Sequence, residues 1–122
     1  MLQIVFTDLS AAEMAALPKF LQLEILNEFH VIPEDLEKLD PKRFGKVARD
    51  NRTLYRYRAG DHRIYFESHR DGLLIRRVLT KNTIRDFLFR TSLPTGEDEQ
   101  LEDHGAFWEM IDQESSKSKV QP

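Results

Sequence analysis

Hydrophobic periodicity divides the chain into a helical first part and a β-rich middle. "LQIVF" is a short apolar run and predicts a first strand. "TDLS" offers Thr7, Asp8 or Ser10 as a helix N-cap. "SAAEMAAL" continues with helix formers, and Glu13 follows Ser10 at capping-box spacing. Pro18 ends that helix or opens the next one at its first turn. In "PKFLQLEILNEF" the apolar positions Phe20, Leu21, Leu23, Ile25, Leu26 and Phe29 predict a half-buried helix. "IPEDLEKLD" predicts a further helical turn, and "PKRFGKVARDNR" a basic connector into a sheet.

The pattern then changes period. "TLYRYR", "HRIYFES" and "LLIRRVL" alternate, are rich in β-branched and aromatic residues, and are separated by turn signals at "AGD" and "HRDG". They predict an antiparallel meander. "TKNTIRDFLFR" places Ile84, Phe87 and Leu88 at i, i+3 and i+4, which predicts a helix after the last strand. "TSLPTGEDEQ" reads as a polar linker. "EDEQLEDHGAFWEMIDQ" predicts an acidic helix whose Leu101, Phe107, Trp108 and Ile111 dock on the body. Gly105 weakens that helix by about 1 kcal/mol relative to alanine. "ESSKSKVQP" predicts a frayed tail. The expected fold class is α+β, a small antiparallel sheet with helices on one face. Its expected organisation is a body over 1–94, an acidic helical extension over 95–114 and a tail over 115–122.

Composition narrows the chemistry. The 122 residues suit one domain and include no cysteine, which excludes disulfides and Cys-based metal or nucleophile sites. His30, His62, His69 and His104 show no metal-ligand spacing, so neither a metal nor a cofactor is expected. No phosphate-cradling glycine loop and no nucleophile elbow are present. "MLQIVFTDLS" lacks a basic segment and has only Ile4 to Phe6 as an apolar core, so it is not a signal peptide. With no long apolar run either, a cytoplasmic location without membrane contact is expected.

Charge changes the picture most. The net charge is −3, yet residues 42–90 carry 14 Lys/Arg against 5 Asp/Glu, whereas 1–41 and 91–122 each carry 2 against 8. A basic middle between acidic ends points to polyanion binding by the middle. Strand alternation puts Arg56 and Arg58 on one face, and Arg63 with Tyr65 on the matching face of the next strand. If Ile64 and Phe66 pack under the helices, that arginine face is the open one. Like charges across adjacent strands are mildly destabilising, and a phosphate among guanidinium forks relieves the cost. Lys81 at the end of the third strand reaches toward the same phosphate, and Arg77 and Arg85 add to the basic surface. His62 is the group in the hairpin with an ordinary pKa near neutrality, a candidate acid or base beside the plainer reading of a turn histidine. Phe87 is either a stacking platform for a base or, from its spacing with Ile84, part of the core.

The run "LYRYRAGDHRIYFE", followed by "LLIRRVLTKNTIRDF", resembles the RelE/ParE superfamily of bacterial toxins from toxin–antitoxin modules. The match covers residues 50–90 well, the N-terminal helices by layout, and the acidic extension not at all. The resemblance implies a small sheet backed by N-terminal helices and a cognate antitoxin as partner. In the RelE-like branch it implies translation inhibition by an mRNA interferase, an endoribonuclease acting on mRNA in the ribosome. That chemistry is metal-independent: a ribose 2′-OH attacks the adjacent phosphate while cations stabilise the developing charge. By position, Arg63 matches the family arginine beside the scissile phosphate and Arg56 one of the basic strand residues. Lys81 falls where a second catalytic arginine is usual, and Phe87 where some members carry a functional tyrosine. Lysine supplies charge without bidentate geometry, phenylalanine cannot move a proton, and Leu54 stands where a strong ribonuclease keeps a lysine. The resemblance therefore also admits a non-catalytic member, a gyrase inhibitor or an RNA- or protein-binding module. The acidic extension is expected to lie across the basic face and weaken RNA binding.

Overall fold

The computed structural model describes residues 3–30, 36–69, 72–88, 97–102 and 104–113. The elements run β1 (Gln3–Phe6), α1 (Asp8–Ala15), α2 (Lys19–His30), a 3-10 turn (Leu36–Lys38), β2 (Phe44–Arg49), β3 (Arg52–Ala59), β4 (His62–His69), β5 (Gly72–Thr80), α3 (Lys81–Leu88), α4 (Glu97–Glu102) and α5 (Gly105–Ile111). The sheet order is β1-β5-β4-β3-β2, with β1 parallel to β5 and the other pairs antiparallel. The α+β class is as the sequence predicts. No helix among the described residues is long and apolar enough to cross a membrane.

The basic connector is a correction: its "FGKVAR" is the strand β2, the sheet's edge. A two-residue turn makes this possible. Asp50 and Asn51 take φ of 52° and 66°, the left-handed pair that matches strand twist in a hairpin. The predicted "AGD" turn forms at Gly60, whose φ of 58° suits a residue without Cβ.

Thr7 caps α1. Its side chain accepts from the Ser10 N–H at 3.0 Å, and Ser10 Oγ accepts from the Thr7 N–H at 3.0 Å. Ser10, not Glu13, completes the capping box, so the Glu13 carboxylate is left to reach β5. In α2 the spacing Leu21, Ile25, Phe29 faces the sheet, while Phe20 and Leu23 stay exposed. These residues and Met14 and Leu17 cover Tyr57, Ile64, Phe66, Leu73 and Ile75 on one sheet face. Phe29 is the centre of that layer, with ring centroids 5.4 Å from Tyr57 and 5.0 Å from Phe66.

The expectation of helices on one face is incomplete. The acidic extension forms two helices, broken at His104, and these cover the second face. Leu101, Phe107, Trp108 and Ile111 dock as predicted and close over Val47, Leu54, Tyr65, Leu79 and Ile84. Burying four such side chains stabilises the closure by roughly 1.5–3 kcal/mol each. Part of the "IPEDLEKLD" turn is the 3-10 segment, and its residues 32–35 lie outside the described ones, as does the 115–122 tail.

Candidate nucleic-acid interface

The pleat of β3 sends Arg52, Leu54, Arg56 and Arg58 to one face. Register then builds rows across the sheet. Gly45, Arg56, Tyr65 and Arg77 align from β2 to β5, and in the next row Arg58 stands opposite Arg63, which stands opposite Leu79. Directly opposed side chains have Cβ atoms about 4.5–5.5 Å apart, so Arg58 and Arg63 are neighbours. The Lys81 N–H donates to the Asp61 carbonyl at 2.6 Å, which ties the start of α3 to the β3–β4 turn. His62, opposite Thr80, lies in the same corner. The structure thus brings Arg58, His62, Arg63 and Lys81 to one end of the sheet.

Their environments differ. Arg58 and Lys81 are exposed. Arg63 is 5% exposed, and its Nη1 donates to the carbonyls of Gly60 at 3.1 Å and His62 at 3.2 Å. Those bonds fold the guanidinium back over the hairpin turn. His62 is half-buried, and its Nδ1 has no hydrogen-bond partner. Arg56 is one residue pair along β3 and is also buried. Its Nε and Nη2 grip the two Asp98 oxygens at 2.9 and 3.0 Å. Arg77 points elsewhere. Its Nε and Nη2 hold Glu13 at 3.0 and 2.6 Å, and its Nη1 donates to the Met110 carbonyl at 2.9 Å and to Gln113 at 3.1 Å. This guanidinium joins α1, β5 and the end of α5. The side chains of Arg85 and Phe87 lie outside the described residues.

The inference that Arg63 and Tyr65 lie on an open face is corrected by the C-terminal helices. Tyr65 is fully buried, its ring edge-on to Phe107 at 5.2 Å. Leu54 is equally buried, so the apolar residue at that position serves the second core. The acids of α4 and of the residue that caps α5 reach the sheet as well. Besides Asp98 on Arg56, Glu102 accepts from the Ala48 N–H at 3.0 Å, and Asp112 pairs with Arg52 at 2.8 Å.

Several groups escaped the sequence reading. Arg52 and Arg76 both bind Glu67, at 2.9 and 2.6 Å. Arg76 is the extra residue of a β-bulge, since Tyr65 pairs with Arg77 and Phe66 with Ile75. Burial pushes the Glu67 carboxyl up, but the hydrogen bonds from Arg52 and Arg76 outweigh it and hold the group below the ordinary carboxylate value. The Glu67 hydrogen bond in turn raises Arg52 against its burial. Arg52 also lies 5.1 Å from the centre of the Trp108 ring. Gly45 is the other omission, although a lone glycine inside a strand is a signal for close backbone approach. A Cβ there would collide with Arg56 Nη2 and Asp98 Oδ2. Among the described residues no cluster of His, Asp and Glu is arranged to hold a metal.

No family model matches the sequence, and no curated protein matches it. Among solved structures the chain is similar to the crystal structure of the archaeal RelE–RelB complex from Pyrococcus horikoshii OT3. The TM-score is 0.50 at 21% identity, over 66% of this chain and 94% of that one. At that identity the likeness concerns the backbone, and it gives this sheet with its N-terminal helices a RelE-like fold.

Proposed function

We propose that this chain is the toxin of a toxin–antitoxin pair, acting on mRNA at the ribosome and neutralised by a cognate antitoxin protein. The observation that carries the reading is the corner of the RelE-like sheet where Arg58 opposes Arg63 and the backbone of Lys81 is tied to the same turn. Opposed like charges are unfavourable in the free protein, and a phosphodiester bridging them reverses the sign. In a cleavage reaction the ribose 2′-hydroxyl gives up its proton as its oxygen bonds to phosphorus, the bond to the 5′-oxygen breaks, and that oxygen takes up a proton, so no net proton is gained or lost. Arg63 neutralises the phosphate oxygens as negative charge builds on them, with Arg56 and Lys81 assisting. Arg58 and His62 complete the phosphate contacts, with His62 the candidate acid or base of this corner. Residues 1–94 form the toxin body in this reading. Residues 95–114 are an acidic addition to it, whose helices α4 and α5 complete the second core, and 115–122 are a tail.

A second reading, a non-catalytic member of the same fold, has its own support. Arg56 is already neutralised by Asp98, and Leu54 fills a core position. One experiment separates them: induced expression in a bacterial host with mapping of mRNA ends. Growth arrest with new mRNA ends, relieved by Arg63→Ala, is the expected result. Arrest with intact mRNA selects the non-catalytic reading, including a gyrase target. Normal growth with no change in translation defeats both.

A further inference from the structure

The Arg56–Asp98 pair has the form of a phosphate contact. Two parallel N–H donors meet two oxygens at 2.9 and 3.0 Å, the same fork a guanidinium offers to a phosphodiester. The seat is shaped for it. Gly45 stands directly opposite Arg56 in the ladder, and its missing Cβ is the space in which Arg56 Nη2 and Asp98 Oδ2 meet. Arg56 and Asp98 side chains are only 6% and 19% exposed, so one occupant at a time fits.

We propose that Asp98 occupies a phosphate seat formed by Arg56 over Gly45, and that α4 is an acidic cover which RNA displaces while α5 stays docked. This rests on the reading of the basic face as an RNA-binding surface. The division between the two helices follows from their anchors. α4 places Leu101 in the core, Asp98 on Arg56 and Glu102 on the Ala48 N–H. α5 is held by Phe107, Trp108 and Ile111, by the Asp112–Arg52 pair, and by the Arg77 bond to its Met110 carbonyl. With six residues α4 is far below the roughly 12–15 that an isolated helix needs, so it persists only through those contacts and opens as a local unit. Deleting the whole extension is the wrong perturbation, because α5 fills the second core. Point changes at the seat are the right one.

Apparent RNA affinity is the intrinsic affinity scaled by the open fraction. Asp98→Asn keeps the shape of the side chain and removes the charge that competes with phosphate. The test is fluorescence anisotropy of a labelled oligouridylate at low salt, using the full chain. Asp98→Asn is expected to tighten binding about tenfold or more through the larger open fraction. The gain from Asp98→Asn is expected to disappear in the Asp98→Asn/Arg56→Gln double variant.

Trp108, the single tryptophan of the chain, reports on the cover because its Nε1 donates to the Glu102 carbonyl of α4 at 3.0 Å. Its emission should shift to the red when the wild type is saturated with RNA, and in Asp98→Asn before any RNA is added. Circular dichroism verifies that each variant is folded. If wild-type binding depends on Arg63 but Asp98→Asn leaves affinity unchanged, the cover is overturned and the RNA-binding surface stands. A gain that survives loss of Arg56 also overturns it, since any lost negative charge would then suffice. If neither wild type nor Asp98→Asn binds the RNA, the surface reading falls and takes the cover with it.

Discussion

Replacing Glu13 by alanine isolates how much of the arginine charge is used inside the fold. The Glu13 carboxylate receives Arg77 Nε and Nη2 and also the Val78 N–H at 2.9 Å. The side chains are 10% exposed for Arg77 and 20% for Glu13. Removing one partner of a buried pair costs about 3–5 kcal/mol, because the other charge is left buried. The residual water access to Glu13 brings this to roughly 2–4 kcal/mol. For a domain of this size the corresponding fall in Tm is on the order of 10 °C. Arg77→Met removes the charge that Glu13 neutralises. The double variant should therefore cost less than the sum of the singles, by about 1–3 kcal/mol of coupling. Denaturant unfolding followed by circular dichroism measures all three. A Glu13→Ala loss below about 0.5 kcal/mol, the range of ordinary surface changes, with additive singles, would refute the assignment of Arg77 as a clamp between α1, β5 and α5.

Two further outcomes follow from the second core and the ion-pair cluster beside it. Leu54→Ala should cost about 2–5 kcal/mol of stability in denaturant unfolding, because it opens a cavity under α4 and α5. Leu54→Lys should cost more, since it buries an unpaired charge. Glu67 makes stability pH-dependent in a defined direction. Its folded pKa is depressed, so its contribution is complete above the unfolded carboxyl value near 4.5 and is lost as pH falls through the lower folded value. Glu67→Gln should flatten the acid limb of a plot of unfolding midpoint against pH; an unchanged limb would remove Glu67 from the account.

Much of the fold was legible in short-range pattern. The alternation in "TLYRYR" and "HRIYFES" placed Arg56, Arg58, Arg63 and Tyr65 on one face, and the register bears this out. The apolar residues of the C-terminal segment were identified as docking residues, and all four are buried. β2 was missed because "PKRFGKVARDNR" is basic and contains glycine. Its strand form depends on pairing with β3, which no local propensity reports. The turn signal was nevertheless present in Asp50 and Asn51. Glu13 was assigned to a helix cap, and only its distance to β5 shows that it is spent on Arg77.

By itself the sequence determined which side chains share a face, because the two-residue pleat is a property of the backbone and is fixed before any packing. It also determined the separation of charge into a basic middle and acidic ends. The tertiary structure decided what those faces meet. Whether an arginine row is open or covered depends on long-range burial, here of Leu101, Phe107, Trp108 and Ile111 against Leu54 and Tyr65. That burial carries Asp98 onto Arg56, so an arginine that the pleat alone would leave on an open face is paired inside the fold.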